Sequence, residues 1–459
     1  MTGTGAARAH LGPVPAQDGT ASASGPGTPP ASRQAARHVR DLLLDQLADP
    51  VATAAATGSA GAAHREAELL QPHWADLSLS AGHPGVAMAF AGIAATSPQH
   101  RARGHAYLSH AMTALASHRH VPEGVFHGPG AVAVATLVAH RATGGYRTAL
   151  TRLDGYQRRM VRAALPPLPD GPVPTNGQFE AVRGVTGIGR YLLARRETCE
   201  AELRSVLSYL VALALGEVAY AGERVPRWWT TATAREGQAG ELPHGHLNLG
   251  LSHGVPGPLA LLSLAWSSGV VVDGQREAVE RMTALLTDWA VPVPGGLAWP
   301  GYLTLDHWRQ GPGSAPAQRR PSWCYGAPGV SRAVQLAALA FDRADWHTLA
   351  QRSVGALLAE PPGRWQVADA ALCHGWSGLL HVLGRIADHW PEPRLHAARE
   401  ELATLVLDTF DARLPFGYRT PDGTDLPAFL EGSAGVALAL DAYAEGRVLG
   451  GWDEVLVVG

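Results

Sequence analysis

The stretch Phe429-Leu-Glu-Gly-Ser-Ala-Gly-Val-Ala-Leu-Ala-Leu440 joins a turn of small residues to an apolar run. Glycine permits a tight turn, and the alanine and leucine that follow it are strong helix formers. A helix that is apolar on nearly every side is expected to be buried. The stretch therefore predicts a buried helix that begins at a glycine turn.

Six further turns share this pattern of paired glycines followed by an apolar segment. They are Gly82-His-Pro-Gly85, His127-Gly-Pro-Gly130, Gly184-Val-Thr-Gly187, Gly254-Val-Pro-Gly257, Gly326-Ala-Pro-Gly329 and Gly375-Trp-Ser-Gly378. The closing glycines recur at intervals of about 45–72 residues, which is typical of a repeat architecture.

Segments with the patterning of amphipathic helices lie between the turns. They cover residues 36–48, 101–117, 146–165, 198–217, 274–291, 343–359 and 393–411. Each repeat is therefore predicted to pair an outer amphipathic helix with an inner apolar helix. About seven such pairs, closed on themselves, give an all-α fold, an α/α toroid with the glycine turns at one end.

Other segments leave this fold class unchanged. Long loops rich in proline and glycine, at 166–180, 221–250 and 296–322, precede glycine turns and are expected on the same face. Strand signals are scarce, and the apolar stretch 269–273 is too short to alter the class.

Composition indicates how the chain is organised. At 459 residues it is long enough for two domains of ordinary size. The glycine turns run almost to its end, however, so residues 35–459 are predicted to form one toroid domain. Residues 1–34 are rich in small residues and proline, with almost no large apolar ones, and are predicted to be a disordered N-terminal tail.

Composition also limits partners and location. The formal net charge of −3 gives no electrostatic reason to expect nucleic acid. No apolar run reaches the ~18 residues of a membrane span, and the N-terminus lacks a signal-peptide pattern. Two of the three cysteines, Cys324 and Cys373, are candidate metal ligands, so the chain has no disulfide framework. A cytoplasmic location is predicted, with membrane association through a biosynthetic complex as an alternative.

Two of the glycine turns carry candidate metal ligands. Cys324 lies in Trp323-Cys-Tyr-Gly-Ala-Pro-Gly329, and Cys373 and His374 lie in Leu372-Cys-His-Gly-Trp-Ser-Gly378. Dispersed cysteines are usually just buried apolar residues, but their placement in matching turns favours metal ligation. Two thiolates and an imidazole leave a fourth position open, which is typical of a catalytic zinc. We therefore expect one Zn²⁺ per chain.

In four of its turns the sequence resembles the lanthionine synthetase C-like family, the lanthipeptide cyclases, of the stand-alone bacterial type. The matching motifs are Leu251-Ser-His-Gly-Val-Pro-Gly257, Trp323-Cys-Tyr-Gly-Ala-Pro-Gly329, Leu372-Cys-His-Gly-Trp-Ser-Gly378 and Phe429-Leu-Glu-Gly-Ser-Ala-Gly435. The repeats cover roughly residues 36–445. The resemblance implies an α/α toroid, a zinc held by the Cys₂His set, and thioether-ring formation in ribosomally made peptides, as in lantibiotic biosynthesis.

The resemblance also implies four catalytic candidates. His253 matches the family's proposed acid/base histidine, and Tyr325 matches an active-site tyrosine. Arg320 matches an arginine just behind the family's metal ligands. The family's acidic residue is usually an aspartate, and Glu180 stands at the corresponding place before the third glycine turn.

The implied substrate is a dehydrated precursor peptide with its leader. A cysteine thiol of the peptide, deprotonated by the zinc, adds to the β-carbon of dehydroalanine or dehydrobutyrine. His253 is the candidate donor of the proton that the α-carbon then needs, and Arg320 or Tyr325 would stabilise negative charge. A separate dehydratase is an expected partner, and an export transporter is a further candidate.

Two alternatives stay open at the level of sequence. The first is another zinc–thiol transferase on a toroid, which would add glutathione to dehydroamino acids or transfer a prenyl group. Prenyl transfer needs basic groups for diphosphate and an aromatic funnel, and only 7% of the residues are aromatic. The second is a non-catalytic scaffold for a dehydratase and the precursor, against which the intact Cys₂His set argues.

Overall fold

Paired helices make up most of the chain. The computed structural model describes residues 31–62, 74–93, 97–117, 124–165, 173–231 and 242–459. Within these ranges, seven helices that are almost wholly buried begin at the glycine turns: α3 (His83–Ile93), α5 (Gly128–Thr143), α8 (Val185–Ala194), α10 (Pro256–Ser267), α13 (Ala327–Phe341), α15 (Trp376–Ala387) and α17 (Ser433–Glu445).

Each of these inner helices packs against an outer, half-exposed one. The outer helices are α1 (Ala31–Gln46), α4 (Pro98–Ser117), α6 (Arg147–Ala164), α9 (Arg196–Leu215), α11 (Gln275–Asp288), α14 (Ala344–Leu357) and α16 (Pro393–Asp408). Three shorter or accessory helices are α2 (Pro50–Ala62), α7 (Asn176–Phe179) and α12 (Leu305–Gln310). The predicted outer segments agree with the observed helices to within a few residues at each end.

The helix pairs close into a ring. The last inner helix, α17, packs against the first outer helix, α1, and also against the first inner helix, α3. A 3₁₀ helix, Trp452–Leu456, contacts both of the inner helices α5 and α8. These late residues therefore fill the space between the two helices. This arrangement confirms the predicted all-α toroid of seven helix pairs.

The closing glycine of every turn is fixed by a close backbone approach. A Cβ at any of these positions would lie 1.9–2.7 Å from the carbonyl oxygen of the residue six positions earlier. At Gly378 and Gly435, for example, that distance is 1.9 Å, to Leu372 and Phe429 respectively. No side chain fits such a space, which explains why the same glycine recurs in all seven repeats.

Backbone hydrogen bonds join successive turns at one end of the toroid. The N–H groups of Leu79, Ala181, Leu372 and Phe429 donate at 2.8–2.9 Å to the carbonyl oxygens of Phe126, Ser252, Leu430 and Ser80, respectively. The last of these bonds links the final turn back to the first. The expected gathering of the glycine turns at one end is thus confirmed, and it brings residues distant in sequence into one site.

Short strands occupy parts of the predicted loops 221–250 and 296–322, and two of them, β1 and β5, lie just before these loops. They are β1 (Glu217–Tyr220), β2 (Glu223–Pro226), β3 (Trp229–Thr230), β4 (His246–Asn248), β5 (Val291–Val293), β6 (Gly296–Ala298) and β7 (Tyr302–Thr304). They form the antiparallel hairpins β1-β2 and β5-β6 and a three-stranded sheet in the order β3-β4-β7. The stretch 269–273 forms no strand. Strand β4 leads directly into the turn that carries His253.

The described part of the chain opens with helix α1. The helix is described from Ala31, and Ala36 and Val39 pack into the core. Residues 1–30 of the predicted tail lie outside the described ranges, so the disordered tail stays a prediction. Among the described helices, none combines the length and the apolar character that crossing a bilayer requires.

Candidate active site

Three predicted ligands meet at the turn-bearing end of the toroid. Cys324 lies just before α13, and Cys373 and His374 lie just before α15. One ligand atom from each residue lies within 4.8 Å of those of the other two. Donor atoms around a tetrahedral zinc are about 3.6–3.8 Å apart, given Zn–S and Zn–N bonds of about 2.3 and 2.1 Å. The soft donor set and its spacing therefore fit one zinc ion with an open fourth position.

The two thiols differ in acidity. A hydrogen bond with Cys373 lowers the pKa of Cys324, and the same bond, together with burial, raises the pKa of Cys373. The hydroxyl of Ser322, 3.3 Å from the Cys324 sulfur, also favours the thiolate of Cys324. Cys324 is therefore the more acidic of the two thiols.

Glu180 and His253 form a close pair beside the cysteines. The Nδ1 atom of His253 lies 2.6 Å from Oε2 of Glu180, whose side chain is only 2% exposed. The second oxygen of Glu180 accepts hydrogen bonds from the backbone N–H groups of Arg183 and Gly184. Burial acts to lower the pKa of His253, but the charge of Glu180 and its hydrogen bond outweigh burial and raise it. The geometry thus favours an imidazolium whose Nε2–H remains available as an acid.

Replacement of Glu180 by glutamine is expected to lower the pKa of His253. Because that pKa is raised in the folded protein, the pair stabilises the fold fully below the unfolded value of ~6.5. The stabilisation is lost as the pH rises through the raised value. NMR titration of the His253 ring, with urea unfolding from about pH 6 to about pH 9, measures both effects in the two proteins. An identical His253 titration in Glu180→Gln would contradict the pairing.

Tyr325 is held by a residue that the sequence analysis did not select. Asn248 Nδ2 donates to the Tyr325 hydroxyl at 2.9 Å, while Asn248 Oδ1 accepts the backbone N–H of Gly250 at 2.9 Å. A Cβ at Gly250 would lie 2.6 Å from the Tyr325 ring, so the ring packs directly on this backbone. Burial raises the pKa of Tyr325. The hydroxyl therefore stays protonated, and because Asn248 already donates to its oxygen, its own hydrogen is free to serve another acceptor.

Arg320 contacts the turn that carries Cys373 and His374. Its Nη2 atom donates to the carbonyl oxygen of His374 at 3.3 Å and lies 3.7 Å from Oδ2 of Asp369. The His253 and Tyr325 rings have centroids 6.3 Å apart. All four predicted catalytic candidates are thus brought to the end of the toroid that holds the cysteines.

The sequence matches a known protein family. A profile described as lanthionine synthetase C-like protein matches residues 73–457, more than four fifths of the chain. The chain belongs to the lanthionine synthetase C-like family. It is similar to the nisin biosynthesis protein NisC of Lactococcus lactis subsp. lactis, with 21% identity over 388 residues that cover 83% of this chain and 89% of NisC.

A solved structure of the family has the same fold. The structure named nisin cyclase matches with a TM-score of 0.71 and 20% identity, over 83% of this chain and 92% of the other. The predicted family and the predicted toroid are both confirmed. The residues around the cysteines are the candidates for catalysis in this member of the family.

Sequence reasoning overlooked two carboxylates beside His374. Oε2 of Glu431 lies 3.4 Å from Nε2 of His374, and Oδ2 of Asp369 lies 3.8 Å from the same atom. Burial raises the pKa of Glu431 to about 7. The only signal in the sequence was the proximity of both acids to a ligand turn.

Proposed function

We propose that this protein is a lanthipeptide cyclase that forms (methyl)lanthionine rings in a dehydrated precursor peptide. The observation that carries the proposal is the placement of the Cys324–Cys373–His374 cluster beside the Glu180–His253 pair. The first offers ligands for an ion that activates a thiol, and the second offers an acid. Membership in the lanthionine synthetase C-like family and similarity to the nisin biosynthesis protein NisC support the same reaction class.

The cluster is proposed to hold one Zn²⁺ through Cys324, Cys373 and His374. A free cysteine thiol has a pKa near ~8.5. Bound zinc would lower this pKa for a substrate thiol that occupies the fourth ligand position. Two anionic sulfur ligands from the protein would keep the substrate sulfur nucleophilic. Both cysteines are partly buried, so the site keeps an exposed side from which a peptide could approach.

His253 is proposed to finish the addition. As the carbon–sulfur bond forms, the π bond of the dehydroamino acid breaks and its electrons move to the α-carbon and the neighbouring carbonyl oxygen. Nε2–H of His253 delivers a proton to the α-carbon, and Glu180 stabilises the imidazolium before transfer. The thiol gives up one proton and the α-carbon gains one, so the peptide mass does not change.

Tyr325 and Arg320 are proposed to support the negative charge that develops during addition. The free hydrogen of the Tyr325 hydroxyl is a preorganised donor for the carbonyl oxygen of the enolate. Arg320, whose guanidinium contacts the carbonyl oxygen of His374, would supply positive charge to the site. A precursor peptide with its leader would be the partner, and a separate dehydratase would have to supply the dehydrated residues.

Purified protein with stoichiometric zinc is expected to close rings in a dehydrated precursor peptide. Because cyclisation leaves the mass unchanged, free thiols are counted by mass spectrometry after alkylation. Ring formation appears as loss of alkylated thiols without any other change in mass. A parallel reaction with glutathione identifies the competing activity, because an adduct would increase the mass by one glutathione. Glutathione addition without ring closure, or no reaction at all, would contradict the cyclase.

A further inference from the structure

Asp369 has a fixed position at the base of the metal-ligand turn. Its Oδ1 accepts the backbone N–H of Ala371 at 2.9 Å, and its carbonyl oxygen accepts that of Trp376 at 2.9 Å. A Cβ at position 375 would lie 2.2 Å from Oδ1, so glycine is required beside the carboxylate. The Asp369 side chain is only 2% exposed. The turn therefore holds this carboxylate in one orientation.

The second oxygen of Asp369 has no hydrogen bond within the described residues, although it is buried. Two nitrogen atoms lie just beyond bonding distance: Nη2 of Arg320 at 3.7 Å and Nε2 of His374 at 3.8 Å. A buried carboxylate oxygen without a partner is unfavourable. Movements of about 1 Å would bring either nitrogen to a normal hydrogen-bond distance of about 2.8 Å.

We propose that Asp369 is a positioning residue that orients both His374 and Arg320. The inference rests on the proposed zinc-dependent function. A histidine that binds a metal through one ring nitrogen usually donates its other N–H to a carboxylate or a carbonyl group, which fixes the ring. Oδ2 of Asp369 is the buried acceptor for that N–H. The same oxygen faces the guanidinium of Arg320, which also contacts the His374 carbonyl.

Glu431 also approaches His374, but its surroundings differ. Its side chain is 35% exposed, whereas that of Asp369 is almost completely buried. Asp369 in addition faces Arg320, so one carboxylate connects the turn that bears His374 to the segment that leads to Cys324.

A purely structural role for Asp369 makes a different prediction. Such a role would depend on Oδ1 and the N–H of Ala371, both of which the substitution Asp369→Asn retains. Asparagine has the same shape, but it replaces the acceptor Oδ2 by an NH₂ group that faces two donors. Effects of this variant on the metal site therefore report on Oδ2 rather than on the turn.

The test compares Asp369→Asn with wild type and with Asp425→Asn, all as the full chain. Asp425 is a matched control, because it is a loop carboxylate that accepts the backbone N–H of Phe416 at 2.8 Å. Zinc affinity is measured by competition with a chelator, and ligand geometry by the visible spectrum of the Co²⁺-substituted protein. Asp369→Asn should weaken zinc binding by about 10–100-fold and change the cobalt spectrum. The control should retain wild-type affinity and spectrum.

Unchanged zinc affinity and an unchanged cobalt spectrum in Asp369→Asn would overturn the inference for His374. For Arg320, the losses in ring-closure rate caused by Asp369→Asn and Arg320→Gln should be non-additive, and additive losses would overturn that part.

If Asp369→Asn does not fold, Asp369→Ser replaces it, since serine can also accept the Ala371 N–H. The metal measurements use no peptide, so they stand even if wild type closes no rings. A wild type that binds no zinc would contradict the proposed function itself.

Discussion

Replacement of Cys373 by alanine is expected to remove zinc from the protein and to abolish enzymatic ring closure. The three ligand atoms lie within 4.8 Å of one another, and the substitution leaves only Cys324 and His374. Two protein ligands do not hold a catalytic zinc, whose sites have three. Elemental analysis of protein purified without chelator gives the zinc content, and thiol alkylation followed by mass spectrometry gives the number of rings.

Cys199 provides a matched control within the same chain. It is the one cysteine of the chain outside the candidate metal site. It is buried in the outer helix α9 and belongs to no metal-ligand group among the described residues. Cys199→Ala should therefore keep one zinc per chain and the wild-type rate. Full zinc content in the Cys324→Ala, Cys373→Ala double variant, or none in wild type, would show that the cluster is not the metal site.

The fold was predictable because its decisive contacts are local in sequence. Each closing glycine meets a carbonyl oxygen only six residues earlier, so a short motif carries the whole constraint. The inner helices then follow from apolar runs such as the one after Gly435. Boundaries were less predictable. The predicted segment 274–291 ends as a helix at Asp288, and Val291 already belongs to strand β5, because the packing of the following residues decides where a helix ends.

The candidate metal ligands stand out in the sequence for a chemical reason, and the carboxylates beside them do not. Cysteine is rare in this chain and distinctive as a ligand, whereas Asp369 is one of 40 acidic residues. Its role depends on its distance to His374 and Arg320, which no local pattern records. The same holds for Asn248, whose amide meets the hydroxyl of Tyr325 across 77 positions of sequence.

The pairing of Glu180 with His253 shows how the toroid produces such contacts. The two residues are 73 positions apart. Their turns are joined by a hydrogen bond from the N–H of Ala181 to the carbonyl oxygen of Ser252, at 2.9 Å. Each partner is adjacent to one end of that bond. The hydrogen bond between neighbouring turns thus brings two residues that are distant in sequence to within 2.6 Å of each other.

Substitution of His253 by alanine should leave zinc in place and slow ring closure by about 10²–10⁴-fold, the usual contribution of general acid–base catalysis. His253 lies outside the ligand set, so the metal content should match that of wild type. Without its proton donor the enolate persists, and because thiol addition is reversible, the enolate expels the sulfur and regenerates the alkene. The variant should therefore bind the dehydrated peptide with wild-type affinity while closing few rings. His396→Ala, at an exposed position on α16, is the control and should close rings at the wild-type rate.

The assay separates this role from metal binding. Single-turnover reactions with saturating peptide give the rate of ring closure, alkylation followed by mass spectrometry counts the remaining thiols, and elemental analysis gives the zinc content of the same samples. Zinc loss in His253→Ala would indicate a structural role for the ring, since the imidazole touches Glu180 rather than the ligands. A folded, zinc-loaded His253→Ala protein that closes rings at the wild-type rate would exclude His253 as the acid. The Tyr325 hydroxyl, to whose oxygen Asn248 already donates, would then be the next candidate acid, and Tyr325→Phe would be expected to show the loss instead.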